Sequence, residues 1–353
     1  MNESATHDKP LAPDIETSGS TGQNRLKQLA TRRLGALRGG GLFFGIVLVF
    51  VSFSALNPAF ASVDSVVGVL RYMTSVALMG LGFMLVLIVG ELDISFGYVY
   101  GLTATVIAVS WMTWGWPVYV ALAVAVLVAA LFGVLNAALT TLLGIPSFIV
   151  TLGSGALAYG ANLLIGNSGS YNPNYPPPHQ TIDQGQLSFF NHIAGVEFIP
   201  GVPTQVFWTV LFAILFYVVV HRSLFGFRLL AIGGNPTAAR LARLPVNRYK
   251  LVAFVGCSVM AAVASILDFS FISSTEPNGG QSFLFPVIAG VIIGGASLTG
   301  GKGTVWGTIA GAFLLSLLSI GLAFVAAGPF AQQLFLGGVI ILAVALDRYT
   351  NRR

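Results

Sequence analysis

Ten apolar runs, each close to the roughly 17–25 residues that cross a bilayer as a helix, decide the solvent of this chain. They cover residues 41–56, 72–89, 94–112, 118–143, 148–165, 205–221, 251–272, 283–298, 304–327 and 331–346. The composition agrees: 55% of the 353 residues are hydrophobic and only 8% are charged, far from an ordinary water-soluble domain. In lipid, backbone polar groups must be satisfied within each crossing segment. The expected fold is therefore all-α, a polytopic membrane protein of about ten transmembrane helices. The second and eighth runs are interrupted by glycine, which leaves re-entrant paths open for them. A single cysteine, Cys257, excludes an intrachain disulfide, and no Cys/His spacing of the zinc type is present.

The charges give a direction to these crossings. Six of the 17 Lys and Arg precede residue 40, six lie between Arg222 and Lys250, and three (Arg348, Arg352, Arg353) close the chain. The polar stretch 166–204 has none, yet it holds Asp183 and Glu197. By the positive-inside rule both termini and the 222–250 loop are expected in the cytoplasm and 166–204 outside, which ten spans satisfy. The same distribution argues against nucleic acid as the reason for the pI near 9.5. Residues 1–40 are expected to form a disordered cytoplasmic tail whose basic end meets membrane lipid. The membrane domain then covers 41–346, and 347–353 is a short cytoplasmic tail. A cleaved signal peptide is the competing reading, since Ala59-Phe60-Ala61 resembles a small-residue cleavage site; a 40-residue lead and the even span count disfavour it. "YNPNYPPPHQT" at 171–181 is expected to be an irregular external loop, either a connector or a docking surface.

Two short breaks interrupt the apolar pattern. "GELDISFG" at 90–97 places Glu91, Asp93 and Ser95 between the second and third runs. A carboxylate at the centre of a lone membrane helix costs about 2.5–3.5 kcal/mol, so neither acid is expected to face lipid there. "GGASLTGG" at 294–301 has a similar construction between the eighth and ninth runs. Superposed, Gly90 falls on Gly294, Asp93 on Ser297, Ser95 on Thr299 and Gly97 on Gly301. Matched glycine breaks in two halves point to a transport path, because irregular backbone at membrane depth is tolerated only where it is buried or lines a cavity. Helix capping by Asp93 or Ser95 is the competing structural role.

Other chemistries find little support. "TGGKGT" at 299–304 fails as a phosphate-binding loop: Gly303 stands where Ser or Thr is needed, and Ala296 replaces the first required glycine. His7, His179, His192 and His221 fall in tails, loops or a helix end and read as solvated. No credible nucleophile with its base is present, so an enzyme is not expected.

The loop "FGFRLLAIGGNPTAARLARLPVNRYK" at 225–250 carries the strongest signal. Asn235 suits an N-cap, Pro236 the first helical position, and Pro245 a stop, which predicts a cytoplasmic helix of about two turns. Such a helix is too short to be stable alone. Its small residues and Arg240 and Arg243 suit docking into a partner's groove.

With "GVLNAAL" at 133–139, "PSFIVTLG" at 146–153 and "GGASLTGGKGTVWGT" at 294–308, these motifs resemble the permease subunits of bacterial ABC importers of the ribose, xylose and galactoside type. The resemblance implies a subunit of an ATP-driven importer in the bacterial cytoplasmic membrane, forming the pathway for a monosaccharide or related polyol. It implies a soluble periplasmic or extracellular binding protein, an ABC ATPase, and a second permease, identical or related. It implies no cofactor on this chain, with ATP and Mg on the ATPase. The matched breaks, rather than the resemblance, place the pathway or gate at Glu91, Asp93, Ser95, Ser297 and Thr299, with Asn136 added to them; Asp93 and Ser95 are expected to cap helix backbone and Glu91 to be paired inside the assembly. The residues that the resemblance implies at the ATPase contact are Gly233, Gly234, Asn235, Ala238, Ala239 and Arg240. One departure stands out: members usually carry a second glycine where this chain has Glu91. An ion-coupled secondary transporter is the alternative; it too would have about ten spans and intramembrane acids, but no need of a capped cytoplasmic helix.

Overall fold

The computed structural model describes residues 40–177, 181–199, 201–326 and 328–351. The N-terminal tail, His7, His179, Arg352 and Arg353 lie outside the described residues. All regular structure in the described residues is helical, with no β-strand. The helices are α1 (Gly40–Leu56), α2 (Val63–Ile88), α3 (Phe96–Ala108, prolonged by a wider turn at Val109–Thr113), α4 (Val118–Leu142), α5 (Ser147–Ile165), α6 (Gln184–Ala194), α7 (Thr204–His221), α8 (Leu224–Gly234), α9 (Pro236–Leu241), α10 (Val246–Ile272), α11 (Leu284–Ile293), α12 (Val305–Phe324) and α13 (Pro329–Asn351).

Seven of these, α2, α3, α4, α5, α7, α10 and α12, are long and apolar enough to cross a membrane. Every predicted run becomes a helix, but the eighth is cut short. At 10 residues α11 reaches only about 15 Å, half the hydrocarbon thickness. The second run, by contrast, is unbroken: α2 holds 26 residues through Gly80 and Gly82. It also starts nine residues before the apolar run does, because Ser62 caps it through the N–H of Ser65 and Asp64 sits in its first turn. Likewise α10 begins at Val246 and takes Arg248 and Lys250 into its first turns. Hydropathy ends a segment at its first charges, whereas a helix continues until its hydrogen bonds fail.

The centre of the molecule is α2. In α2 and α3, 89% of the apolar stretch is buried, against 28% in α4 and α7 and 33% in α5. The last three therefore lie outermost and show long apolar faces, such as Leu127 and Leu131 on α4. Between centre and periphery stands α10, which packs on α2, α3 and α4. The buried line of α4 is made of small residues at every fourth position, Ala121, Ala125, Ala129, Gly133 and Ala137, which lets α10 approach closely without a hydrophobic driving force.

Within 166–204, the described residues of 171–181 form no helix, as expected, but a helix follows them. This is α6, capped by Asp183, whose carboxylate accepts the Gln186 N–H at 2.8 Å. Ser270 of α10 fastens this helix, donating to the Phe190 carbonyl at 2.6 Å and accepting from the Ala194 N–H at 3.0 Å.

Candidate functional site

At the first break α2 ends with Gly90 in the left-handed region (φ +80°) and the Glu91 N–H bonded to the Val86 carbonyl at 3.0 Å. This is a Schellman stop, and it needs glycine because the turn requires positive φ. The second break repeats it: Gly295 has φ +95° and the Ala296 N–H reaches the Val291 carbonyl at 3.1 Å. In each, a side chain then folds onto the residue two positions on. Asp93 Oδ1 accepts the Ser95 N–H at 2.8 Å and the Ser95 hydroxyl at 2.6 Å. Ser297 Oγ accepts the Thr299 N–H at 3.3 Å and lies 2.8 Å from Thr299 Oγ1. The correspondence of Asp93 with Ser297 and Ser95 with Thr299 is thus a shared turn, while the helix-stopping glycine opposite Gly90 is Gly295, one residue later than the sequence superposition places it.

Asp93 is completely buried. Neither ion pair among the described residues includes it; its Oδ2 instead faces Asn136 Nδ2 of α4 at 3.4 Å, and the same amide donates to Ser95 Oγ at 2.9 Å. Three predicted residues, Asp93, Ser95 and Asn136, therefore form one hydrogen-bonded cluster. Ser95 does not cap α3 with its side chain. Glu91 turns the other way and pairs with Lys250 of α10. The acid that departs from the family pattern thus has a base to meet it. Leu92, between these two acids, is held by α5: its N–H donates to Ser147 Oγ at 3.1 Å, and its carbonyl accepts from Thr151 Oγ1 at 3.5 Å. That contact accounts for the polar residues of "PSFIVTLG".

The loop between α7 and α10 joins this assembly. Asn235 caps α9 by accepting the Ala238 N–H at 2.9 Å, with Pro236 next to it, as the sequence predicts. The stop differs from the prediction. Arg243 takes the left-handed conformation (φ +57°) and the Leu244 N–H bonds to the Ala239 carbonyl at 3.0 Å, so the helix has closed before Pro245, which instead occupies the N-cap position of α10. The preceding helix, α8, has no counterpart in the sequence reading. Its C-terminal glycines enter the gap between the two breaks. A Cβ on Gly233 would lie 2.6 Å from the Gly301 nitrogen and against the Ile88 carbonyl oxygen, and one on Gly300 would lie 2.7 Å from the Gly233 oxygen and 3.0 Å from Gly90 Cα. Gly301 N–H completes the contact by donating to the Ile88 carbonyl at 2.9 Å. Three glycine segments, 88–90, 233–234 and 300–301, thus meet backbone to backbone. Beyond them, α9 exposes Ala238, Arg240 and Leu241, and buries Ala239.

A cavity of about 490 Å³ lies elsewhere in the bundle, and none of the six predicted pathway residues lines it. Its polar wall centres on Asp268 of α10, a residue the sequence reading passed over. Asp268 accepts the Ser75 hydroxyl at 2.6–2.7 Å through both oxygens and the Tyr100 hydroxyl at 2.6 Å. The signal was available: Asp268 is the sole acid within the run 251–272, and an acid inside a membrane helix is a functional candidate by default.

Residues 65–344 match the profile of a family described as the permease component of the branched-chain amino acid transport system. A probable ABC transporter permease of Sinorhizobium fredii is 31% identical over 87% of this chain and 88% of its own length. The ribose import permease of Haemophilus influenzae is 29% identical, with 88% and 93% covered, and the D-allose transport system permease of Escherichia coli is 28% identical, with 88% and 92% covered. No solved structure matches the chain.

Proposed function

Because the chain belongs to the family of the branched-chain amino acid transport system permease component, whose members span the membrane as subunits of ABC transporters, we propose that it forms the pathway of an ATP-driven importer for a monosaccharide or related polyol. The family description names amino acids, but ribose and allose permeases align with nearly the whole chain, and the reading follows them. One observation carries the mechanism. The exposed, capped helix α9 continues directly from the glycines that touch both helix breaks.

In this reading an ABC ATPase binds α9 from the cytoplasm, holds ATP and magnesium, and carries out the hydrolysis. It can drive transport only by binding two permease states with different affinity. A shift of α9 moves Gly233 and Gly234, which cannot move without displacing Ile88 and Gly301. Both breaks therefore respond to one cytoplasmic contact. Both termini are cytoplasmic, a soluble binding protein docks on the face formed by 166–204, and a second permease completes the pathway. The Asp93, Ser95 and Asn136 cluster braces the first break as it moves.

The test is to isolate the tagged chain from its native membranes in mild detergent, with residues 235–243 intact or replaced by a Gly/Ser linker. The reading expects an ABC ATPase with the intact chain alone. A chain that arrives without an ATPase and transports solute in proteoliposomes on an ion gradient would establish the secondary-transporter alternative.

A further inference from the structure

The cavity beside Asp268 is lined by stretches of α2, α3, α7 and α10 and by the residues that precede α11. On α2, Ser75 stands 13 residues before Ile88, about 20 Å along the helix. Gln205 is in the first turn of α7, Asp268 in the last turn and a half of α10, and Phe283 immediately precedes α11. Glu276 and Ile272, at the rim, are exposed. Arg71, also at the rim, pairs with Glu197 at 2.9 Å and lies over the Phe271 ring at 4.3 Å, tying 166–204 to α2. The segment 275–277 is fixed by Thr275 N–H to the Tyr171 carbonyl at 2.9 Å and by Asn162 Nδ2 to the Pro277 carbonyl at 2.7 Å.

Inside, two features call for a ligand. Gln205, which lines the cavity, is 2% exposed, and neither its amide nitrogen nor its amide oxygen has a hydrogen-bond partner among the described residues. A buried amide left unpaired costs free energy, so its retention needs a reason. The Phe283 ring stands between Tyr72 (centroids 5.3 Å apart) and Tyr100 (5.5 Å), an aromatic surface next to a carboxylate that accepts only hydroxyl donors.

We propose that this cavity is the cargo-binding site of the permease and that it takes an uncharged polyhydroxylated solute, with Gln205 and Asp268 as the polar contacts. The inference rests on the importer reading. A sugar hydroxyl both donates and accepts, which suits an amide with donor and acceptor free, while Asp268 accepts further hydroxyl donors on its remaining lone pairs. The C–H face of the sugar lies on the aromatic surface. Asp268 and Glu276 repel an anionic cargo. The volume falls within the roughly 300–1,000 Å³ common for small-molecule sites.

Gln205 supplies the discriminating variant. Its amide has no protein partner to lose, so Gln205→Leu preserves the fold while removing a cargo contact. Ala104, which lines the cavity, is changed to Cys in the full chain; the native Cys257 is buried and gives a quiet background. Intact spheroplasts are then treated with a membrane-impermeant thiol reagent, with and without D-ribose, D-allose, D-galactose or glycerol, and with choline and leucine as controls. We expect labelling from outside, protection by at least one polyol, and about a tenfold rise in the half-protecting concentration in Gln205→Leu and Asp268→Asn. No labelling, no polyol protection, stronger protection by choline or leucine, or protection unchanged in Gln205→Leu would each overturn the assignment. ATPase co-purification, read on the same membranes, separates loss of the cargo site from loss of the importer reading.

Discussion

Asp93 is a fully buried carboxylate whose partners, the Ser95 N–H and hydroxyl and the Asn136 amide, are all neutral. Removing the acceptor strands these donors. Asp93→Ala should cost about 3 kcal/mol, more than Asp93→Asn, which keeps an acceptor toward Ser95; heat-induced aggregation of the purified chain checks the order. Glu91 obeys a different rule. Its pair with Lys250 is only 13% and 16% exposed, so Glu91→Gln leaves a mostly buried ammonium unpaired and should destabilise by about 2–3 kcal/mol. Adding Lys250→Met should restore most of that, a coupling that a double-mutant cycle measures. Additive losses would show that the pair does not matter. Glu91 and Asp93 were both legible in the sequence as acids that lipid cannot accept. Their partners across the fold were not, because Lys250 and Asn136 lie 159 and 43 residues away along the chain.

Among the elements, α9 was the most legible, since Asn235, Pro236 and the small residues after them are local signals. Its end was misread because Pro245 is a conspicuous breaker, whereas the left-handed Arg243 has no sequence signature. Asn235→Ala should cost about 1 kcal/mol of helix stability and weaken retention of the ATPase, while Asn235→Asp should preserve both. Arg243→Gly should leave stability unchanged or raise it by up to about 1 kcal/mol, since glycine adopts positive φ without strain; a clear loss would mean that the arginine side chain holds α9 in place. The helices α6 and α8 were missed for a common reason. At 11 residues each they lack the length for a periodic pattern, and packing against α10 and α7 settles them.

Across the whole molecule, the ten apolar runs made the helical architecture readable, and the two glycine breaks made their shared turn readable. The cavity was not. Ser75, Tyr100 and Asp268 come from three helices, and segments apolar on every side give no periodicity to say which residues face inward. The glycine contact was equally hidden, because backbone approach leaves only glycine behind, and this chain has 42 of them. That contact is the centre of the account: the segment 233–234 touches both breaks, and in the proposed importer ATP-driven motion would reach the pathway through it. The most direct measurement is solute uptake by cells carrying Gly233→Ala, with membrane level and ATPase co-purification read alongside. A methyl group there must force Ile88 and Gly301 away from α8. The account predicts that uptake collapses while the ATPase still binds the exposed α9; uptake at the wild-type rate would contradict it.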